Sequence, residues 1–401
     1  MRDIDIFQLA LGLTPPWIVT KSELNLEKNQ LDIYIDFQKG GTFVCPVCGK
    51  SGCKAYDTEE KTWRHLDFFQ YKAYLHARVP RINCPDCGVK TVNVPWARPG
   101  SGFTLLFEAY IMTLAKEMPV KAIARMVNEH DTRLWRILSY YVSRARQKED
   151  YSNVTKIGVD ETSFKRGHDY VTIFADLEHS KILFVAPGKD YETLEKFRNE
   201  LVLHNGNPEK IKEICIDMSP AFIKGARLFF PKANLTFDKF HVMKIINEAV
   251  DRVRRAEQKE RPELKGTKYL WLKNIKNLTK NQKEKLLSLK NRNIKTAKAY
   301  NIKLSFQELW QLSRVEAEQF LKKWYFWATH SRLEPIIEAA KIIKNHWNGV
   351  LNWFSSNLNN GILEGLNSVI QAAKRKARGY RSLKNFATMI YLVGGKLNLE
   401  F

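Results

Sequence analysis

The chain has 401 residues, 44% hydrophobic and 12% aromatic, which is too apolar for a disordered protein and enough for sizeable cores. Its 65 Lys and Arg against 43 Asp and Glu give a formal net charge of +22, which predicts a polyanionic partner, nucleic acid rather than a membrane surface. No apolar run approaches the roughly 18 to 20 residues that cross a bilayer, and the N-terminus does not resemble a signal peptide, so we expect a cytoplasmic protein.

Residues 1–98 predict a β-rich domain built around a structural Zn²⁺ ion. Two Cys-Pro-x-Cys-Gly motifs supply four thiols: Cys45, Cys48, Cys84 and Cys87. Each Cys-x-x-Cys pair can direct two thiolates at one ion, and two pairs complete a tetrahedral site. A cytoplasmic chain without a thioredoxin-like βαβ pattern disfavours disulfides or a redox pair. Cys53, His65 and His76 remain alternative ligands.

Residues 99–150 predict a helix-turn-helix domain and a linker. Helical spacing of apolar residues covers 104–117, 120–128 and 132–146, with short turns between them. The last helix carries Arg133 and Arg136 away from its apolar face. In a helix-turn-helix, such a helix enters the major groove of DNA, so we expect both arginines to contact DNA.

Residues 151–239 have the order β-β-β-α-β-α-β. The predicted strands cover residues 156–160, 170–177, 182–186, 213–217 and 234–238. Asp160, Asp217 and Asp238 end strands one, four and five. A carboxylate at the end of a buried strand is costly unless a cation meets it, although each Asp could also be a turn or cap residue. The order is typical of an RNase H-like α/β domain, in which strands one and four end side by side, so Asp160 and Asp217 could share metal ions.

Residues 240–350 predict an all-α insertion, rich in tryptophan, whose Lys-rich part is a solvated face or contacts the DNA backbone. Residues 351–401 predict C-terminal helices. Glu364 lies near the start of one helix and is followed by basic residues that we expect to contact phosphates: Lys374, Arg375, Arg378 and Arg381. Glu364 is either a metal ligand or a first-turn residue favoured by the helix dipole.

Together these motifs resemble the ISL-three (ISL3) family of insertion-sequence transposases of the DDE type. The matching pieces occur in the family's order and cover nearly the whole chain. Besides the cysteine pairs and the helix-turn-helix, they are Gly158-Val-Asp160-Glu161, Ser163-Phe164-Lys165 with Gly167-His168, Asp217-Met218-Ser219, Asp238-Lys239-Phe240-His241, and Asn360-Gly361 with Glu364-Gly365-Leu366-Asn367.

The resemblance implies a catalytic triad of Asp160, Asp217 and Glu364 that binds two Mg²⁺ ions, with Asp160 bridging both. Asp238, with His241, is held as an alternative second ligand. It also implies Mg²⁺-dependent strand cleavage and strand transfer, and recognition of terminal inverted repeats by the zinc and helix-turn-helix domains. A homodimer is expected, because two transposon ends must be brought together. We expect a nucleoid-associated bacterial protein whose partners are transposon-end and target double-stranded DNA, with no small-molecule substrate.

The sequence therefore predicts an α+β multidomain protein: a β-rich zinc domain, a helix-turn-helix, and an RNase H-like catalytic domain interrupted by an all-α insertion. Two other functions remain open. One is a non-catalytic zinc and helix-turn-helix DNA-binding protein derived from a transposase, which predicts a broken acidic position, whereas all three acids are present. The other is a structure-specific nuclease on the same fold, which would cut without requiring particular end sequences.

Overall fold

The computed structural model describes residues 2–165, 169–292, 294–356 and 361–401. Its contacts divide the chain into two units, Met1–Arg144 with Asn398–Phe401, and Ala145–Leu397. The motif residues Gly167, His168 and Asn360 lie outside the described residues. None of the described helices combines the length and the apolar character needed to cross a membrane.

The first unit begins with a mainly β region and ends with three helices. Its elements are α1 (Asp3–Ala10), β1 (Trp17–Asn25), β2 (Gln30–Phe37), β3 (Thr42–Phe43), β4 (Cys53–Arg64), β5 (Lys72–Cys84), β6 (Gly88–Thr91), α2 (Leu105–Glu117), α3 (Val120–Met126) and α4 (Asp131–Gln147).

The strands of this unit form one sheet in the order β1-β2-β5-β4-β3, with β6 paired to β5. Burial alternates along β2, where Leu31 and Ile33 face the core, as expected for a sheet with one solvated face. Under the sheet, the Trp96 ring meets Trp17 and Trp63 edge to face, at centroid distances of 5.0 and 5.6 Å. The expected β-rich region is therefore present.

The three helices of the first unit follow the predicted pattern closely. The Thr104 side chain accepts a hydrogen bond from the Phe107 amide and so caps α2, while α4 begins at Asp131 itself. The buried face of α4 includes Leu134, Ile137, Leu138 and Tyr141. This apolar stripe holds α4 against its neighbours and leaves its other face to solvent.

The second unit is a mixed sheet with helices. Its elements are β7 (Lys156–Lys165), β8 (Asp169–Asp176), β9 (Lys181–Pro187), α5 (Glu192–Leu203), β10 (Glu213–Ile216), α6 (Pro220–Phe229), β11 (Asn234–Phe237), α7 (Lys239–Glu257), α8 (Lys268–Leu272), α9 (Lys280–Lys290), α10 (Lys295–Glu308), α11 (Arg314–Thr329), α12 (Glu334–Asn345), α13 (Trp347–Ser356), α14 (Gly361–Lys376) and α15 (Leu383–Gly394).

The five strands of the second unit lie in the order β11-β10-β7-β8-β9. β7, β8 and β9 form an antiparallel meander, while β10 is parallel to both β7 and β11. One boundary differs from the expectation: β7 continues to Lys165, so Asp160 lies within a strand rather than at its end. The reason is that residues 161–163 and Lys165 keep pairing with β8, and the buried Thr162 and Phe164 alternate with polar neighbours.

One hydrophobic cluster runs through the second unit, from the sheet and α5 and α6 into the helices after β11. Ile157 and Phe197 belong to it, and so do Val242 and Trp324. Between Phe237 and Ser356 the described residues contain helices and turns but no strand. The core is therefore shared by the sheet and the helices that follow it.

Candidate active site and metal centre

The first candidate site is a cluster of four thiols. Among the described residues, the only group of three or more potential ligands with every donor atom within 4.8 Å of the others is Cys45, Cys48, Cys84 and Cys87. Cys48 Sγ lies 3.6 Å from Cys84 Sγ. Four sulfurs bound tetrahedrally at Zn–S distances of about 2.3 Å would be separated by about 3.8 Å, so the observed cluster fits a zinc ion.

The protonation of these thiols also fits a bound cation. Hydrogen bonds from the backbone amides of Cys48 and Val47 lower the pKa of Cys45 to about 6. The neighbouring Cys48 thiol and burial raise the pKa of Cys87 to about 12. Four thiolates this close repel one another, and a divalent cation removes the conflict by holding all of them deprotonated.

The alternative ligands considered from the sequence are not part of the cluster. The buried Cys53 thiol lies 3.6 Å from a backbone carbonyl oxygen. His65 shares a hydrogen bond with Thr104 at 2.9 Å, and His76 one with Asp32 at 2.6 Å. These side chains have structural partners of their own.

The second candidate site lies at the C-terminal edge of the parallel strands β7, β10 and β11. Glu213 pairs with Lys156 on β7 and with Asn234 on β11. Continued along the strands, this register brings Asp160, Asp217 and Asp238 level, with strands about 4.8 Å apart. Three acidic side chains far apart in the sequence thus come together at one sheet edge.

Each of the three aspartates is anchored through one carboxylate oxygen. Oδ1 of Asp160 accepts a hydrogen bond from the amide of Glu161 at 2.7 Å. Oδ1 of Asp217 accepts one from the Ser219 amide at 2.9 Å, and Oδ1 of Asp238 accepts one from the amide of Phe240 at 2.6 Å. The backbone therefore fixes the orientation of all three carboxylates.

Helix α14 lies against β7 beside Asp160. The Asn367 side-chain amide donates to Asp160 Oδ2 at 2.5 Å, and Gln371 donates to the Thr162 hydroxyl at 2.5 Å. One turn further, the Lys374 ammonium donates to a β7 backbone carbonyl at 2.5 Å. These contacts form a polar ladder between helix and strand, which the sequence analysis missed.

Glu364 is exposed and stands one helical turn before Asn367 on α14. Residues three apart on a helix lie on nearly the same face, so Glu364 is on the side of α14 that carries the polar ladder. The carboxylate oxygens of Glu364, Asp160 and Asp217 do not all lie within 4.8 Å of one another. Among the described residues, only the four cysteines form a group of potential metal ligands that close.

The site is electrostatically unfavourable without a cation. Burial raises the pKa of Asp160, and the nearby carboxylates of Asp238 and Asp217 raise it further, against the Glu161 amide and His241. Burial also raises the pKa of Glu161, with Asp217 and Asp160 adding to the effect. Partly buried like charges of this kind, all with hard oxygen donors, are the environment that a divalent ion such as Mg²⁺ relieves.

His241 lies at the rim of this site. Its Nδ1 is 3.4 Å from Asp238 Oδ2, and this buried nitrogen has no hydrogen-bond partner among the described residues. Asp238 and His241 both act electrostatically on Asp160, and their role as a reserve pair stays a prediction.

The basic residues expected to contact DNA differ in whether their side chains already have partners within the protein. Arg133 is paired with Glu129 at 2.5 Å and lies over the Phe103 ring at 4.2 Å, whereas Arg136 is exposed on α4. The Lys374 ammonium already donates a hydrogen bond to β7. The other predicted phosphate contacts after Lys374 are exposed: Arg375, Arg378 and Arg381.

Comparison with known proteins gives family matches for three successive segments of the chain. Residues 157–390 match the family model of the ISL3 DDE transposase, more than half of the chain. Residues 92–142 match the helix-turn-helix domain of transposase family ISL3, and residues 41–87 match the zinc-finger of transposase IS204/IS1001/IS1096/IS1165.

Whole-chain relatives agree with the family models. The transposase for insertion sequence element IS1557 of Mycobacterium tuberculosis is 27% identical, over 95% of this chain and 93% of the relative. The transposase for insertion sequence element IS1001 of Bordetella parapertussis is 28% identical, over 86% of each chain.

A zinc finger, a helix-turn-helix and a DDE domain in this order are the parts of a DNA transposase. The chain belongs to the ISL3 family of transposases, and its role is the transposition of an insertion sequence.

Proposed function

We propose that this protein binds the terminal inverted repeats of its insertion sequence and catalyses Mg²⁺-dependent DNA strand cleavage and strand transfer. The observation that carries the proposal is the convergence of Asp160 and Asp217 at one sheet edge beside α14, the helix bearing Glu364. Acidic side chains at such an edge, anchored by backbone amides, suit the binding of divalent ions against a scissile phosphate.

The sheet order β11-β10-β7-β8-β9 supports an RNase H-like catalytic domain, because a meander followed by parallel strands joined through helices is the arrangement expected of it. The helices between β11 and α14 then form the all-α insertion. The division into residues 1–98, 99–150, 151–239, 240–350 and 351–401 stays part of this proposal.

In this proposal Asp160, Asp217 and Glu364 hold Mg²⁺, which when bound activates the attacking oxygen and stabilises the leaving oxygen of an in-line displacement. The chain's own contribution is positioning. Backbone amides and Asn367 fix the Asp160 carboxylate. Water is the attacking group for cleavage and a freed 3′-OH is the attacking group for transfer, so no covalent enzyme intermediate is required. Asp238 remains the alternative to Asp217.

Recognition of the ends is assigned to the zinc and helix-turn-helix regions of the first unit. The exposed Arg136 on α4 is the best placed of the two predicted recognition arginines, because Arg133 is already paired with Glu129. A net charge of +22 supplies the attraction to the phosphate backbone. Two ends must meet for transfer, which supports a homodimer.

The substitution Glu364→Gln tests the catalytic assignment. It removes a charge while keeping the shape, so we expect end binding within about twofold of the unsubstituted protein and cleavage reduced by about 10³-fold or more, as for loss of a group acting in the transition state. The measurement is gel-resolved cleavage of a labelled duplex that carries the element's end, with Mg²⁺.

Ser368→Ala, one turn after Glu364 on the same helix, offers a control, since it leaves Asn367 and Gln371 intact. Full cleavage by Glu364→Gln would refute the triad. Asp217→Asn and Asp238→Asn in the same assay identify the second ligand, and competition by scrambled end DNA identifies a nuclease without end specificity.

A further inference from the structure

A groove between α7 and α8 has no assigned role. Its volume is about 500 Å³. It is lined mainly by long basic and large apolar side chains, among them Phe240, Met243, Lys244, Arg252, Arg255 and Lys268.

One end of the groove is lined by Phe240, which contacts Asp238, and the groove follows one face of α7 from there. Phe240 follows Asp238 by two residues, and its amide donates to the Asp238 carboxylate at 2.6 Å. Lys244, Arg252 and Arg255 follow at intervals that keep them on one side of α7. From Phe240 to Arg255 the helix rises about 22 Å at 1.5 Å per residue, so the residues that line the groove are spread over a length that a short segment of a polymer could follow.

The lining keeps a net positive charge even when the ion pairs of its two arginines are counted. Arg252 pairs with Glu338 at 2.5 Å and Arg255 with Asp251 at 3.3 Å, and each guanidinium has further donors to offer. Asp251 is also paired with an arginine inside the helix packing, at 2.7 Å.

The two lysines of the lining carry the excess charge. Within the described residues, no carboxylate lies within 4.0 Å of the ammonium group of Lys244 or Lys268. Glu248 is the one other acid in the lining. Four cations against two acids, one already paired, attract a polyanion.

An aromatic ring stands at the end of the groove nearest the carboxylates. Phe240 is 61% exposed although it is large and apolar. Its only ring neighbour among the described contacts is His241, edge to face at 5.9 Å, so it has room for a stacked partner. Tyr269 on α8, beside Lys268, is also 61% exposed. Exposed rings beside cations are how proteins hold unpaired bases and their backbone.

We propose that the α7–α8 groove binds a single strand of DNA leaving the carboxylate site, with its cations on the phosphates and Phe240 stacked on a base. The spacing of about 3.4 Å per nucleotide in one strand of B-DNA is the most compact case, so about 22 Å of groove accommodates at most about six nucleotides. The inference rests on the proposed function only in taking DNA as the substrate. A duplex does not fit the role of Phe240, because its bases are already stacked.

Charge substitution in the groove tests the phosphate contacts. The probe is a duplex with a single-stranded extension of about six thymidines, compared with the same duplex blunt, and binding to the full-length protein is measured without Mg²⁺ over a range of salt. Lys244→Gln with Lys268→Gln should reduce the slope of log K against log salt by about 1.4 for the tailed probe, about 0.7 per lost contact, and leave the blunt probe unchanged.

A matched pair of lysines provides the control. Lys323→Gln with Lys341→Gln changes the net charge equally on exposed helix positions that do not line the groove. We expect it to affect tailed and blunt probes alike. Equal slopes for the groove variant and the unsubstituted protein on the tailed probe would overturn the proposal, as would equal affinity of the unsubstituted protein for both probes.

The stacking contact is tested with 2-aminopurine placed in the extension, whose fluorescence is quenched on stacking. Phe240→Ala should abolish the additional quenching and weaken tailed-probe binding by about fivefold or more, and Phe240→Trp should retain both. Phe326→Ala, at another exposed ring, should change neither. Quenching retained in Phe240→Ala overturns the stacking contact. Neither assay involves cleavage. Failure of the Glu364 assignment would therefore leave the groove results unaffected, and failure of the groove proposal would leave the cleavage results unaffected.

Discussion

At the scale of single residues, one uncharged side chain contacts a proposed metal ligand directly. The Asn367 amide donates to Asp160 Oδ2, while its own carbonyl oxygen is buried with no hydrogen-bond partner in the described part of the chain. A buried acceptor without a partner is unusual in a folded protein and calls for a ligand or a water. We expect Asn367 to act as a positioning residue that orients Asp160.

Asn367→Ala should weaken metal use without weakening DNA binding. Loss of a hydrogen-bond partner behind a metal-binding carboxylate typically costs 10–100-fold in metal affinity or activity, so we expect the Mg²⁺ concentration for half-maximal cleavage to rise by about tenfold or more. The measurement is a Mg²⁺ titration of cleavage, with metal-free DNA binding alongside. Gln371→Ala removes the next amide contact to β7 without touching a carboxylate, and an equal rise in that variant would show a purely structural role.

At the scale of elements, the packing of α14 on β7 depends on a glycine. A Cβ added at Gly158 would lie 2.7 Å from a Leu363 methyl and 2.8 Å from a Leu177 methyl. Leu363 is buried over this glycine, and the polar ladder from Asn367 to Lys374 continues the same interface. The absence of a side chain at position 158 thus brings the helix bearing Glu364 close to Asp160.

Gly158→Ala should push α14 away from β7. We expect cleavage to fall by at least tenfold and the free energy of unfolding of the second unit to drop by about 1–3 kcal/mol, the usual range for overpacking a core. Shortening the opposing side chain restores room, so the double variant Gly158→Ala with Leu363→Ala should recover part of the cleavage lost by the single one. Denaturant unfolding measures the change in stability, and cleavage assays measure the change in rate. A double variant that cleaves no faster than the slower of the two single variants would contradict the packing account.

At the scale of the whole molecule, the zinc cluster and the proposed Mg²⁺ site lie in separate units. The thiol cluster belongs to the unit of residues up to Arg144, and the carboxylates belong to the unit Ala145–Leu397. Each unit has its own hydrophobic cluster. Loss of zinc should therefore act on the first unit and on recognition of the DNA ends, not directly on the carboxylate site.

The purified chain should contain one zinc ion per molecule, and Cys84→Ser should remove it, because three thiolates no longer close the tetrahedral site. Without the ion we expect the melting temperature of the first unit to fall and end binding to be lost, since structural zinc contributes directly to folding. Elemental analysis and differential scanning calorimetry measure these effects. Cys53→Ser is the control that should retain the metal; a similar loss of zinc in that variant would mean that the ligand set is wrong.

Much of this organisation follows from local patterns in the sequence. The two Cys-x-x-Cys motifs predict four zinc ligands because the short spacing within each pair lets both of its thiolates bind the same ion. The helices of the first unit and the five strands around Asp160, Asp217 and Asp238 follow from apolar periodicity, which local burial enforces. The continuation of β7 past Asp160 was not predicted, because its polar residues resemble a turn and only pairing with β8 makes them a strand.

The sequence alone therefore determined which residues could bind metal and in what order the domains occur, because ligand chemistry and periodicity are properties of neighbouring residues. Only the tertiary structure decided that Asn367 meets Asp160, 207 residues away, and that Leu363 covers Gly158. Such contacts depend on how a helix is rotated against a strand, which is set by packing over the whole core. The α7–α8 groove has the same origin, since its cations lie on helices whose facing sides no local pattern specifies.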